Sequence, residues 1–236
     1  MKVRESAGGV LRIVLLWWLA ALPAAHAAPV AGTYLSIEGI PPEAPVSSAA
    51  TGEWILYLDG EIDSTAAARL AAFTAEHGIR RAAVYFNSPG GSLVAAMAIG
   101  RLLREHGYRT NVGKRTTDPR KPASGVCYSA CPFAFAGGLR RSLEPGAFIG
   151  VHRASNRVPV PDESAFQQVV SGQATQYLSE MGVSPDLFRI MEGVPPDVIR
   201  RITHAEAVQL DLVTDGGVPA GTPPSGAGPI SGEIKL

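Results

Sequence analysis

Residues 81–113 read RAAVYFNSPGGSLVAAMAIGRLLREHGYRTNVG, and this stretch decides the fold class. RAAVYFNS (81–88) is a short run of apolar and aromatic residues closed by a Pro-Gly-Gly turn, the pattern of a buried strand. GSLVAAMAIGRLLREHG (91–107) follows with Leu93, Ala96, Met97, Gly100 and Leu103 at helical spacing on one face. YRTNVG (108–113) is a third element, again strand-like. Upstream, WILYLDG (54–60) is another apolar strand, and STAAARLAAFTAEHG (64–78) reads as a helix with Ser64 as its N-cap candidate. Strand, helix, strand, helix, strand with short links predicts right-handed βαβ units and a mostly parallel sheet.

Downstream, GVCYSACPFAFAGG (125–138) opens an uncharged helix, and AFIGVH (147–152) reads as a buried strand. A long helix is expected over 162–182, carrying Phe166, Val169, Val170 and Tyr177, with helical pieces near 184–191 and 204–210. Residues 29–52, rich in Ala, Pro and Ser, read as an irregular lead-in. The tail 216–236 is Gly/Pro-rich and reads as disordered. There is no internal repeat. The folded domain is therefore expected over 53–215.

The first 28 residues read as a signal peptide. Lys2, Arg4 and Arg12 precede the apolar run IVLLWWLAALP, and Ala25-His26-Ala27 supplies a small-x-small cleavage pattern. The run is short of the roughly 18–20 apolar residues that span a bilayer. Cleavage near Ala27 or Ala28 would leave about 208 residues, enough for one sizeable core. The expected location is periplasmic or secreted, where disulfides persist and ATP is absent. The chain carries 21 basic and 21 acidic residues with no basic stripe, which argues against nucleic acid as a partner. Neither a cofactor nor a metal is expected.

NSPGGS (87–92) stands between a strand and a helix, at the sheet edge where α/β folds bind ligands. Its glycines let backbone N–H groups approach a bound anion. A tight βα turn with no further role explains the same residues. Ser129, in the uncharged stretch, fits a helix N-cap on local grounds. A nucleophilic serine needs a base, and His152 lies 23 residues on, at the end of an apolar strand. His77 and His106 each precede a glycine at a helix end, and His204 opens a polar stretch. A satisfied core histidine explains His152 equally well. Among the downstream carboxylates, Asp197 follows a Pro-Pro turn and is a candidate to orient the imidazole, or an N-cap. A serine–lysine pair finds little support: Lys114 and Lys121 precede the serine in a polar loop, and Lys235 lies in the tail.

With NSPGGS, the serine stretch and GVH together, the chain resembles the Clp-protease proteolytic-subunit-like group of the ClpP/crotonase superfamily, in particular its exported bacterial members. The similarity runs from about Trp54 to Asp215. It implies a single α/β domain of repeated ββα/βαβ units around a short twisted sheet. It makes Ser129 the nucleophile and His152 the general base, with Gly91 or Gly90 and the backbone of Ala130 as the oxyanion hole. The usual aspartate position aligns with Ile199, two residues after Asp197, so the catalytic acid is either Asp197 or absent. Asp211 stands where the family usually has glycine. The family serine is not normally bracketed by cysteines. In a regular helix, Cys127 and Cys131 would set their Cβ atoms about 5–6 Å apart, beyond the roughly 3.5–4.5 Å of a disulfide. With Cys127 in the turn before the helix, a bridge becomes feasible and would pin the serine loop; reduced, the pair would be buried packing.

The expected function is a periplasmic serine hydrolase, a peptidase-like enzyme acting on peptides or unfolded segments without an ATPase partner. The resemblance also implies a homo-oligomer. The alternative is a catalytically inactive binding or assembly protein that kept the scaffold.

Overall fold

The computed structural model describes residues 34–43, 52–155, 161–214 and 234–235. The expected signal peptide lies outside the described residues, as do 216–233 of the expected disordered tail. In chain order the elements are β1 (Ser36–Ile40), β2 (Trp54–Asp59), α1 (Ala66–Glu76), β3 (Ala82–Asn87), α2 (Leu93–Glu105) and β4 (Arg109–Val112). They continue through β5 (Val126–Tyr128), α3 (Cys131–Ala136), β6 (Arg141–Leu143), β7 (Phe148–Val151) and α4 (Glu163–Glu180). The last are α5 (Asp186–Glu192), β8 (Val198–Ile202), α6 (His204–Gln209) and β9 (Ile234–Lys235). No helix among the described residues is long and apolar enough to cross a membrane.

Two sheets form. The first has the order β1-β2-β3-β4-β6, parallel from β2 through β6, with β1 antiparallel to β2. Its β2-α1-β3-α2-β4 run is the alternation read from 54–113. The second, β5-β7-β8-β9, is mixed: β5 and β7 are parallel, while β8 runs antiparallel to both β7 and β9. The expectation of one mostly parallel sheet therefore holds for the first sheet only, and the second is mixed. Two other expectations change. β1 lies inside the stretch read as an irregular lead-in, its Ile37 packed against the core across from Leu58. Ile234 and Lys235, inside the expected disordered tail, pair with Ile199 and Val198.

Periodicity explains the helices well. α2 buries Ala96, Met97, Gly100 and Leu103 as its spacing requires, along with Ala95 and Ile99, and the Ser92 hydroxyl caps it by accepting from Ala95 N–H. α1 begins later than its sequence suggested. Thr65 is its N-cap, and the Asp63 carboxylate, not Ser64, holds the entry by accepting from Thr65 N–H at 2.9 Å. His77 and His106 occupy helix C-caps, each ring nitrogen 2.9 Å from the carbonyl four residues back. On α4, Val170, Ala174, Tyr177 and Leu178 face the core whereas Val169 is exposed.

At the end of α6, Asp211 adopts a left-handed backbone, φ 52°. That conformation is why a glycine suits the position: a side chain there costs steric energy that glycine avoids.

Candidate active site

Ser88 ties the two sheets together. Its N–H donates to Val126 O and its carbonyl accepts from Tyr128 N–H, so the end of β3 continues as a parallel bridge to β5 at Cys127. Asn87 supports the junction, donating to Asp59 and accepting from Val126 N–H at 3.1 Å. The next residues, Pro89-Gly90-Gly91, then run directly beneath the turn that follows β5. Gly90 and Gly91 have φ of 103° and 135°, in the region that favours glycine. A Cβ on Gly90 would stand 2.6 Å from Ser129 Cβ and 3.0 Å from Ala130 N. One on Gly91 would meet Ile62 O at 2.3 Å. Both glycines are therefore required by close backbone approach as well as by φ.

Ser129 sits between β5 and α3 with a left-handed backbone, φ 58°. For a residue with a Cβ this is strained, by about 1–3 kcal/mol. Its N–H donates to Gly150 O at 3.0 Å, which fixes it beside β7. The cap explanation does not survive. Ala130 is the N-cap of α3 and no side chain caps that helix. Among the described residues the Ser129 hydroxyl makes no hydrogen bond at all. A serine on a tight strand-to-helix turn, in a strained conformation with an unengaged hydroxyl, has the context of a nucleophile elbow without its glycine signature.

Cys127 and Cys131 are joined by a disulfide, with Cα atoms 5.2 Å apart. The bridge forms because Cys127 is in β5 and only Cys131 is in the helix, so helical spacing does not apply. Both residues are fully buried. The pair thus presents no exposed thiol for redox chemistry.

The backbone donors separate the two glycines proposed for an oxyanion hole. Gly90 N–H is already engaged by the Ser88 hydroxyl at 3.1 Å. Among the described residues the N–H groups of Gly91 and Ala130 have no acceptor, although Ala130 is buried. Unpaired buried N–H groups are rare, and that of Ala130, the residue after Ser129, is one among the described residues.

His152 follows β7 directly. In the β5–β7 register Tyr128 faces Gly150, so Ser129 and His152 emerge at the same end of two adjacent parallel strands. No hydrogen bond joins their side chains here; such contacts are commonly long before substrate binds. Burial holds the His152 imidazole below its ordinary value of 6.5, favouring the neutral ring that a general base requires. Its Nδ1 is buried without a hydrogen-bond partner. Asp197 is exposed in the turn before β8, and among the described residues no hydrogen bond or ion pair links it to that ring. The β7–β8 register sets Val151 against Arg200. One further step places Ile199, 1 % exposed, opposite His152.

Lysine is poorly placed to replace histidine. Lys114 and Lys121 are exposed in the loop before β5. Lys235 belongs to β9, three strands from β5 in the sheet order, or about 14 Å at the usual spacing. Among the described residues no group of three His, Cys, Asp or Glu side chains could hold a metal ion.

No protein-family model matches the chain, and no curated protein matches it either. Among solved structures it is similar to a mutant form of the membrane-bound stomatin-specific protease 1510-N. The identity is 14 %, the match covers 66 % of this chain and 75 % of that one, and the TM-score is 0.47. A likeness at that level carries no argument about activity.

Two features of the site escaped sequence reasoning. Ser88 was visible only as part of a turn, although a serine whose hydroxyl accepts from the N–H two residues on is the familiar serine-turn pattern. The β7–β8 register, which brings the Ile199 side chain against Gly150, carries no local signal, because it joins strands separated by α4 and α5.

The buried imidazole sets a pH expectation. A depressed pKa keeps the ring neutral to lower pH, so the ascending limb of kcat/KM should have its midpoint below pH 6.5. A carboxylate partner would move it the other way, by favouring the charged ring. A measured kcat/KM profile rising only above pH 6.5 would contradict a His152 whose burial outweighs the opposing backbone hydrogen bond at Arg153.

Proposed function

We propose that this protein is an exported serine hydrolase, a peptidase-like enzyme acting through Ser129 and His152 on peptides or unfolded segments. The observation that carries it is Ser129 itself, left-handed at the β5–α3 turn with its hydroxyl unengaged among the described residues. His152 would take the hydroxyl proton as Ser129 Oγ attacks a carbonyl carbon, then return it to the leaving amine; water would release the acyl group. The developing oxyanion would lie against the N–H groups of Gly91 and Ala130. One such donor is typically worth about 10²–10³ in kcat.

Among the described residues no carboxylate bonds the His152 ring, which would limit the rate. Losing the group that orients the imidazole costs roughly 10⁴-fold where it has been measured, so turnover should be slow. Export after cleavage near Ala27 or Ala28, assembly into a homo-oligomer and independence from an ATPase belong to the same proposal. A compartment without ATP suits a substrate that is already unfolded.

The test is a fluorophosphonate probe, which forms a covalent bond to an activated serine. Purified mature protein should be labelled, and Ser129→Ala should abolish labelling. His152→Ala should slow it by about 10²–10⁴, the usual contribution of a general base. The unpartnered His152 Nδ1 favours a second reading, a scaffold that binds peptides without cleaving them. Absence of labelling in the wild type, or labelling retained in Ser129→Ala, would decide for that reading.

A further inference from the structure

The disulfide does more than staple a surface loop. It closes across five residues with Ser129 at the centre, and Ser129 is one of two described non-glycine residues with a positive φ, the other being Asp211. Resting on the proposed hydrolase reading, we infer that the Cys127–Cys131 disulfide is a positioning device: it holds Ser129 in the left-handed conformation that presents its hydroxyl beside His152 and aligns the Ala130 N–H.

Three observations carry this. First, the residues on either side are anchored while Ser129 itself is strained. Cys127 is locked in β5, opposite Ile149 on β7 and bridged to Ser88 on the other side. Cys131 is the first residue of α3. Second, nothing in the serine side chain compensates the strain. Its hydroxyl makes no hydrogen bond among the described residues, so the conformation must be imposed from outside. Third, the approach of Gly90 to Ser129 Cβ restrains one side of the turn only; the disulfide restrains the opposite end, where β5 becomes α3. A serine in an ordinary extended or helical conformation would direct Oγ elsewhere and rotate the Ala130 N–H with it.

Formation of the bridge is a two-electron oxidation. Two thiols lose two protons and two electrons to a disulfide oxidant, which leaves as two thiols. Because both sulfurs are buried in the folded chain, exchange must occur before or during folding. The nucleophile would therefore be assembled only where a disulfide oxidant is present. A chain folded under reducing conditions would keep the scaffold but leave the serine poorly presented.

Two preparations test this. One is the double variant Cys127→Ala/Cys131→Ala. The other is wild-type protein unfolded with a dithiol, refolded reduced, and then a portion of it unfolded again and refolded with a disulfide oxidant. Both disulfide-free forms should fold, with Tm lower by roughly 4–8 °C for so short a loop. Their kcat on a peptide ester, or their fluorophosphonate labelling rate, should fall by about 10²-fold, with KM changed less than about threefold. Reoxidation should restore the rate. A crystal structure of the double variant should show φ of residue 129 away from the left-handed region. This last readout needs no activity, so it separates failure of this inference from failure of the hydrolase reading. Unchanged φ, an unchanged rate, a rise in KM that accounts for the whole loss, or failure of both forms to fold would each overturn positioning as the role.

Discussion

Gly90→Ala should abolish most of the activity while leaving the protein folded. The added Cβ meets Ser129 Cβ at 2.6 Å, Tyr128 O at 2.7 Å and Ala130 N at 3.0 Å. Two of those atoms are backbone, so no flexible side-chain end can swing away. The turn must open, and it can do so only by moving Ser129 and Ala130 together, the two residues that present the hydroxyl and one of the unpaired N–H groups. A displacement near 1 Å at such a site costs about 10² in rate, and loss of oxyanion alignment adds to it. Labelling and ester hydrolysis should therefore fall by more than about 10²-fold. The φ of 103° at Gly90 adds a backbone cost as well. Gly78→Ala separates the two effects: Gly78 also has positive φ, 59°, but nothing stands within 4 Å of its added Cβ. It should lower stability by about 1–2 kcal/mol, the cost of a side chain in the left-handed region, and leave labelling untouched. Wild-type labelling by Gly90→Ala would mean that the nucleophile does not depend on this approach.

This contrast shows which parts of the site were legible in the sequence. The Pro-Gly-Gly turn, the helix behind it and the strand before it announced themselves through local chemistry: glycine permissiveness, 3.6-residue periodicity and a β-branched and aromatic run. Ser129 was ambiguous because a cap and a nucleophile share the same local sequence. What resolves it is its φ and the packing of Gly90, neither of which any window around Ser129 encodes. The disulfide was ambiguous for a similar reason: its feasibility depended on whether Cys127 ends a strand or starts a helix, a boundary that periodicity places poorly. Asp197 is marked by its stiff local turn, whereas which side chain faces the imidazole depends on the β7–β8 register, which no local window encodes. β6 and β8 were unrecognised. RSL is too short to show alternation, and VIRRI places two arginines in a strand, where their long apolar stems stand in for hydrophobic residues. One of them, Arg201, lies with its guanidinium 3.7 Å over the Phe148 ring.

Arg141, in the unrecognised β6, makes the largest stability prediction. It is 3 % exposed, and among the described residues no carboxylate forms an ion pair with it, Asp211 acting only at longer range. Its guanidinium donates instead to backbone carbonyls: Leu212 at 3.0 Å, Gly138 at 2.8 Å, Asp211 at 2.6 Å and, at longer range, Ala136 and Met181. These carbonyls belong to the ends of α3 and α4 and the segment after α6, where helical partners run out. Burial and the neighbouring Arg104 lower its pKa to about 10, so at neutral pH it remains charged, with all three nitrogens donating. Arg104 shares the Ala136, Gly138 and Met181 carbonyls. Leu212 and Asp211 therefore depend on Arg141 among the described residues. Arg141→Met keeps much of the volume and removes the donors. The Leu212 carbonyl, left unpaired in a buried setting, costs about 1–3 kcal/mol and the part-buried Asp211 carbonyl less, offset in part because a buried charge is also removed. The net loss should be about 2 kcal/mol, or roughly 4–8 °C in Tm for a domain of this size. Urea unfolding should show a lower midpoint with an unchanged slope, since the surface exposed on unfolding is the same. Arg104→Met should cost clearly less, because Arg141 still serves three of its four carbonyls. Equal losses from the two variants would mean that the carbonyls do not divide between the arginines as their hydrogen bonds indicate, and that charge alone sets the cost.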